Sequence, residues 1–196
     1  MKTPENFMEY LAAHRDCSDE ILDYARMLTA DDVEYSMEPK AAKIRRMVSA
    51  VVGEMHKMRG FVRLIPLSDT VSYGFMEPEH DIGKWVAASL AHRFPKTQIV
   101  VGNHEHTWSA QYSDCGLIYS KGPGIMEKIE ELKMEYKDLS AQSEMQKLWT
   151  TYYISQYSPE RRNIRLFQRN MPAKHLRAAG LALERAAGNM TLANYC

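Results

Sequence analysis

The sequence predicts an α+β domain. One antiparallel sheet of about five strands, laid out as two strands, a helix and three strands, is flanked by amino-terminal and carboxyl-terminal helices. Three observations carry this. Ile44, Met47, Val48, Val51, Val52, Met55 and Met58 recur at helical spacing. Val71, Tyr73 and Phe75 alternate with Ser72, Gly74 and Met76, as Trp108, Ala110 and Tyr112 do with Ser109 and Gln111. From Ile125 onward the pattern returns to helical spacing, with Ile125, Ile129, Leu132 and Tyr136 on one side.

In chain order, residues 4–28 read as one or two short acidic helices, with Phe7, Leu11, Ile21, Leu22 and Met27 available for burial. Pro39 opens the long helix and Gly60 ends it. Strands are predicted at 61–67 and 71–76, around a Ser68-Asp69-Thr70 turn. Pro78 is predicted to begin the next helix, with Glu77, Glu79 and Asp81 at its positive end and Pro95 as its stop. Three further strands are expected at 97–101, 107–112 and 117–120, the last two joined by the turn Ser113-Asp114-Cys115-Gly116. A helix over 125–139 follows. Ser143 with Gln146 reads as a capping box, and Ser158-Pro159 and Met171-Pro172 read as further helix starts. Residues 1–38 thus form an acidic helical segment, and 39–196 the α+β domain with its helical tail.

The chain is 196 residues long with 45% hydrophobic and 26% charged residues, which suits a folded core and excludes a disordered polyelectrolyte. No apolar run approaches the roughly 18 residues of a membrane span. The start Met1-Lys2-Thr3-Pro4-Glu5 lacks a signal-peptide pattern. The expectation is therefore a cytoplasmic protein with no membrane partner.

The formal net charge is zero but unevenly placed. In the first 36 residues Glu5, Glu9, Asp16, Asp19, Glu20, Asp23, Asp31, Asp32 and Glu34 outnumber Lys2, Arg15 and Arg26. Then Lys40, Lys43, Arg45, Arg46, Lys57, Arg59 and Arg63 face one acid, Glu54. A second basic run holds Arg161, Arg162, Arg165, Arg169, Lys174 and Arg177. Such asymmetry bears on partners. Lys43, Arg46 and Lys57 fall opposite the long helix's apolar stripe. With Arg63, Arg161, Arg162, Arg165, Arg169 and Lys174 they are the candidate nucleic-acid contacts, since cations bind phosphates whatever the base. Trp149, Tyr152 and Tyr153 stand near the second run and read either as stacking rings or as core.

No P-loop, dinucleotide fingerprint, nucleophile elbow or paired-histidine zinc helix occurs. Cys17, Cys115 and Cys196 are too scattered for a disulfide framework or a metal cluster. His104-Glu105-His106 lacks a third ligand in sequence and reads as a solvated turn. The sequence thus predicts no metal and no cofactor of its own. The candidate catalytic set is His56, Glu77 and His80, as a general acid–base group.

One group of motifs resembles a known family. His56-Lys57-Met58-Arg59-Gly60-Phe61-Val62-Arg63, Glu77-Pro78-Glu79-His80-Asp81-Ile82 and His92-Arg93-Phe94 come first. Leu148-Trp149-Thr150-Thr151-Tyr152-Tyr153, Asn163, Gln168 and Met171-Pro172-Ala173-Lys174 follow. In this order they resemble the domain of unknown function numbered 4130, over roughly residues 40 to 180. The chain departs from that pattern in its opening and at His175-Leu176. The resemblance implies a role in DNA metabolism and a radical SAM protein as partner. Some members are fused to a uracil-DNA glycosylase-like domain, which implies a protein of that kind as a second partner.

The leading expectation is an accessory protein that binds DNA and serves a radical SAM partner. A second is an enzyme acting on a nucleic-acid base or backbone through His56, Glu77 and His80. A third is an adaptor that binds proteins alone, through its acidic helices or a Met-rich surface.

Overall fold

A computed structural model of the chain describes residues 2–135 and, beyond them, Leu148, Thr151, Ser155, Asn163, Arg165, Leu166 and Arg169. The expectations for Ser143, Gln146, Trp149, Tyr152, Tyr153, Ser158-Pro159, Arg161, Arg162, Met171-Pro172, Lys174 and Cys196 lie outside the described residues. The chain divides into two compact units: Met1–Gly60 with Pro78–Val86, and Phe61–Glu77 with Ala87–Cys196.

The first unit is helical. Three short helices, α1 (Phe7–Ala12), α2 (Asp19–Ala25) and α3 (Ala30–Tyr35), precede the long α4 (Pro39–Phe61). Helices of six or seven residues are marginal alone, so their stability comes from packing. Phe7, Leu11, Ala25 and Val33 are buried in one cluster with Ile44, Met47 and Val48 of α4. At roughly 1.5–3 kcal/mol for each large side chain removed from water, this cluster holds the short helices in place. Thr29 caps α3 through a reciprocal box with Asp32. Arg45 closes the other end of α3 by donating to the Val33 and Glu34 carbonyls. The apolar stripe of α4 lies where its spacing predicts, since Ile44, Met47, Val48, Val51, Met55 and Met58 are all buried. The helix runs one residue past Gly60.

The second unit holds the sheet. Its strands are β1 (Ile65–Ser68), β2 (Val71–Phe75), β3 (Gln98–Gly102), β4 (Thr107–Ser113) and β5 (Gly116–Gly122). They lie side by side in chain order. The predicted α+β class and five strands stand. One pairing was not foreseen: β2 and β3 run parallel, and the other three pairs are antiparallel. The reason is the helix between them, α5 (Gly83–Arg93), which returns the chain to the end of the sheet where β2 began. Leu67, Val71, Tyr73 and Val100 form one core cluster with Ile125, Ile129 and Leu132 of α6 (Ile125–Glu135). On the other sheet face, Tyr112 stacks its ring on His92 of α5, with centroids 4.4 Å apart. Gly116 closes the β4–β5 turn at φ +106°, a backbone state open to glycine.

The tip between β3 and β4 carries His104-Glu105-His106, and all three side chains are exposed. Asn103 shapes it: its Oδ1 accepts from the Glu105 and His106 amides at 2.9 and 2.8 Å. Its carbonyl accepts from Ile125 N at 2.8 Å, which ties the tip to the start of α6.

Helix α5 does not start at Pro78, as predicted, but at Gly83. The first bond of such a helix is not made: Ile82 N, which would donate to the Pro78 carbonyl, donates to the His80 carbonyl at 2.8 Å instead, and the segment is tied down by contacts distant in sequence. Glu79 N and His80 N donate to the Glu54 carboxylate, and Asp81 N donates to the Ala13 carbonyl. The first strand is likewise shorter than predicted and starts at Ile65, because α4 takes Phe61.

Candidate functional site

Two features of the first unit carry chemistry: a cationic helix face and a histidine pair, of which His80 is buried and His14 half-buried. The seven basic residues from Lys40 to Arg63 separate by role. Lys40 sits 3.9 Å from Glu20 and over the Tyr24 ring. Arg45 serves the end of α3. Arg59 and Arg63 are half-buried, and Arg63 belongs to the second unit. Lys43, Arg46 and Lys57 remain, all exposed. Among the described residues no carboxylate pairs with any of the three. On a helix of 3.6 residues per turn they share an arc of roughly 60°. Of the second basic run, Arg165 and Arg169 are described, and both are helical and exposed.

The three candidate catalytic residues sit in different surroundings. His56 is exposed on α4. Glu77 is half-buried in the second unit. His80 is buried, with 8% of its surface exposed. Residues 54 and 56 point roughly 200° apart around a helix, so His56 faces away from the side where Glu54 holds the His80 backbone.

His80 meets residues that no sequence pattern marks. Its ring lies 4.3 Å from that of His14, tilted by 31°. Its Nδ1 accepts from Arg15 N at 3.3 Å, and His14 Nδ1 accepts from Asp16 N at 3.1 Å. A proton on either Nδ1 would break the bond that places the ring. Glu54 holds the segment from below, accepting from Glu79 N at 2.7 Å and His80 N at 3.0 Å. Arg15 also reaches the Glu79 carboxylate at 3.4 Å. With Nδ1 occupied as acceptor, each neutral ring carries its proton on Nε2. The pair can offer hydrogen bonds from Nε2 but no free nitrogen lone pair. Among the described residues no three His, Cys, Asp or Glu side chains are grouped to hold a metal ion.

Burial, and next the neighbouring His80, hold the pKa of His14 below its ordinary 6.5. The folded ring is therefore neutral at pH values where the unfolded chain already binds a proton. Stability falls as the pH drops below about 6.5 and levels off only beneath the folded value. Thermal unfolding between pH 7.5 and 5 is expected to show this slope. In His14→Asn, whose side-chain oxygen keeps an acceptor for Asp16 N, it should flatten. An unchanged slope in that variant would place the titration elsewhere.

Among the described residues no helix is long and apolar enough to cross a membrane. A family model described as a domain of unknown function, DUF4130, matches residues 16–178. No curated protein and no solved structure matches the chain.

Proposed function

The chain belongs to the DUF4130 family, and from that premise we propose that it is a DNA-binding accessory protein that acts with a radical SAM partner. One observation carries the binding half: Lys43, Arg46 and Lys57 form an exposed face of α4, without a carboxylate partner among the described residues. Solvated basic residues on a helix are commonplace, but two lysines and an arginine on one arc, none ion-paired among the described residues, are an electrostatic footprint for a polyanion. Exposed Arg165 and Arg169 add charge of the same sign. The partner half rests on the motif resemblance. In this reading the partner generates the radical, and this chain supplies binding energy and orientation. The acidic helices α1 to α3 supply a surface of opposite sign for a protein contact.

Binding to a DNA fragment, measured across a salt series, tests the first half. Changing Lys43, Arg46 and Lys57 together to Gln is expected to weaken binding at least tenfold. It should also flatten the slope of log K against log salt by about 3, near 0.9 per lost phosphate contact. Unchanged affinity and slope would reject this surface. Co-purification with the radical SAM protein, with and without residues 1–36, tests the second half.

One other reading is an enzyme acting on a nucleic-acid base or backbone, with the Nε2 N–H of the His14–His80 pair as proton donor. Turnover of DNA by the isolated protein, lost in His80→Asn, would put that reading first.

A further inference from the structure

We propose that the cationic face of α4 takes double-helical DNA in preference to a single strand, with the helix seated across a groove; this rests on the nucleic-acid reading above. Unpaired strands are held by rings that stack on bases, spaced along a charged channel. The α4 face has no such platform. Between its cations stand Ser49, Ala50 and Gly53, with the half-buried Glu54 at the edge of the face and engaged by the Glu79 and His80 amides, and no aromatic residue. His56, the nearest ring in sequence, lies roughly 80° around the helix from Arg46.

What the face offers is a rigid rod with charge at both ends. Lys43 and Arg46 are about one turn apart, and Lys57 lies roughly 21 Å from Lys43 along the axis. The major groove of a duplex is roughly 12 Å wide and admits an α-helix, with a phosphate row on each side. A helix crossing it sets Lys43 and Arg46 at one row and Lys57 at the other. The middle of the rod must then come close to the groove floor. It is low there, because Ala50 and Gly53 carry little or no side chain. The protein's own packing does not require glycine at position 53, since a Cβ built there meets nothing within 4 Å.

That open position supplies the test. Fluorescence anisotropy on the full chain compares a duplex of about 24 base pairs with a single strand of the same length. The duplex is expected to bind about tenfold tighter, a difference within reach of one lost phosphate row. Gly53→Leu should reduce duplex affinity about tenfold while leaving single-strand binding and the salt slope unchanged, because no phosphate contact is removed, and it should raise the unfolding midpoint, since leucine replaces a glycine inside a helix. Ala50→Gln, at an exposed site, should act the same way on binding and serves if Gly53→Leu disturbs folding. Equal affinity for both nucleic acids, or full duplex affinity in both variants, overturns the groove seating and leaves the DNA-binding reading standing. Failure to bind either nucleic acid overturns both.

Discussion

Replacing Gly102 by alanine is expected to cost about 3 kcal/mol of folding stability, at the upper end of what overpacking a well-filled site costs. Gly102 ends β3, and its φ is not in the left-handed region, so backbone freedom is not the issue. The cost is steric. A Cβ there would fall far inside contact distance of the His106 carbonyl oxygen, and 3.0 Å from Thr107 Cα. These are backbone atoms where the chain enters the paired strand β4, and they cannot swing aside. Gly124 repeats the situation against the His104 carbonyl. Gly122 is the control, since a Cβ there meets nothing within 4 Å, and Gly122→Ala should stay within about 0.5 kcal/mol of the parent. Urea unfolding reads the difference as a shift in midpoint at constant slope. Equal midpoints for Gly102→Ala and Gly122→Ala would falsify the described packing of the β3–β4 tip.

Removing the Glu54 carboxylate should be the next largest loss, about 2 kcal/mol in Glu54→Ala. Two backbone amides, Glu79 N and His80 N, converge on it, and the second is partly buried. Without an acceptor His80 N is left unsatisfied, which costs more than an ordinary surface hydrogen bond returns. The estimate stays below the sum of two charge-assisted bonds because Glu79 is exposed and water can replace its partner. Glu54→Gln keeps one acceptor oxygen and should lose about half as much. Amide hydrogen exchange gives the local readout: the Glu79 and His80 amides should lose protection first in Glu54→Ala. Exchange there as slow as in the parent would mean that something other than Glu54 holds the segment.

The helix faces, the strands and the histidine pair differ in how far the sequence discloses them. The buried stripe of α4 and its cationic face are both legible, because a single helix repeats every 3.6 residues and each face returns in register. The strands are legible from the alternation of Tyr73 and Phe75 with Ser72 and Gly74, and of Trp108 and Ala110 with Ser109. Their pairing is less so, since alternation separates the two faces of a strand but tells neither which way the neighbouring strand runs nor that both faces of β4 are covered, as the buried Ser109 shows. Nothing periodic joins His14 to His80. They are 66 positions apart, and they meet because Glu54 and the Ala13 carbonyl anchor the 79–81 amides beside the end of α1. Pro78 and its flanking acids read as a helix start from local signals alone, and the helix begins at Gly83. Local preference puts a cap at Pro78, but Ile82 N turns back to the His80 carbonyl and not to that of Pro78, while Glu54 and Ala13 anchor the segment from far away in sequence.

The parallel register of β2 and β3 also governs how the sheet can assemble. The β1–β2 hairpin and the β3–β4–β5 meander each close through short turns, so their contacts are local and quick to form. Joining them requires Val71 to find Gln98, with the whole of α5 lying between. That closure comes before any β2–β3 hydrogen bond is gained, so it is the slow, entropy-limited event in building this sheet. Substitutions that raise the helicity of α5 shorten the effective loop and should hasten refolding, whereas stiffening either hairpin should leave the rate nearly unchanged.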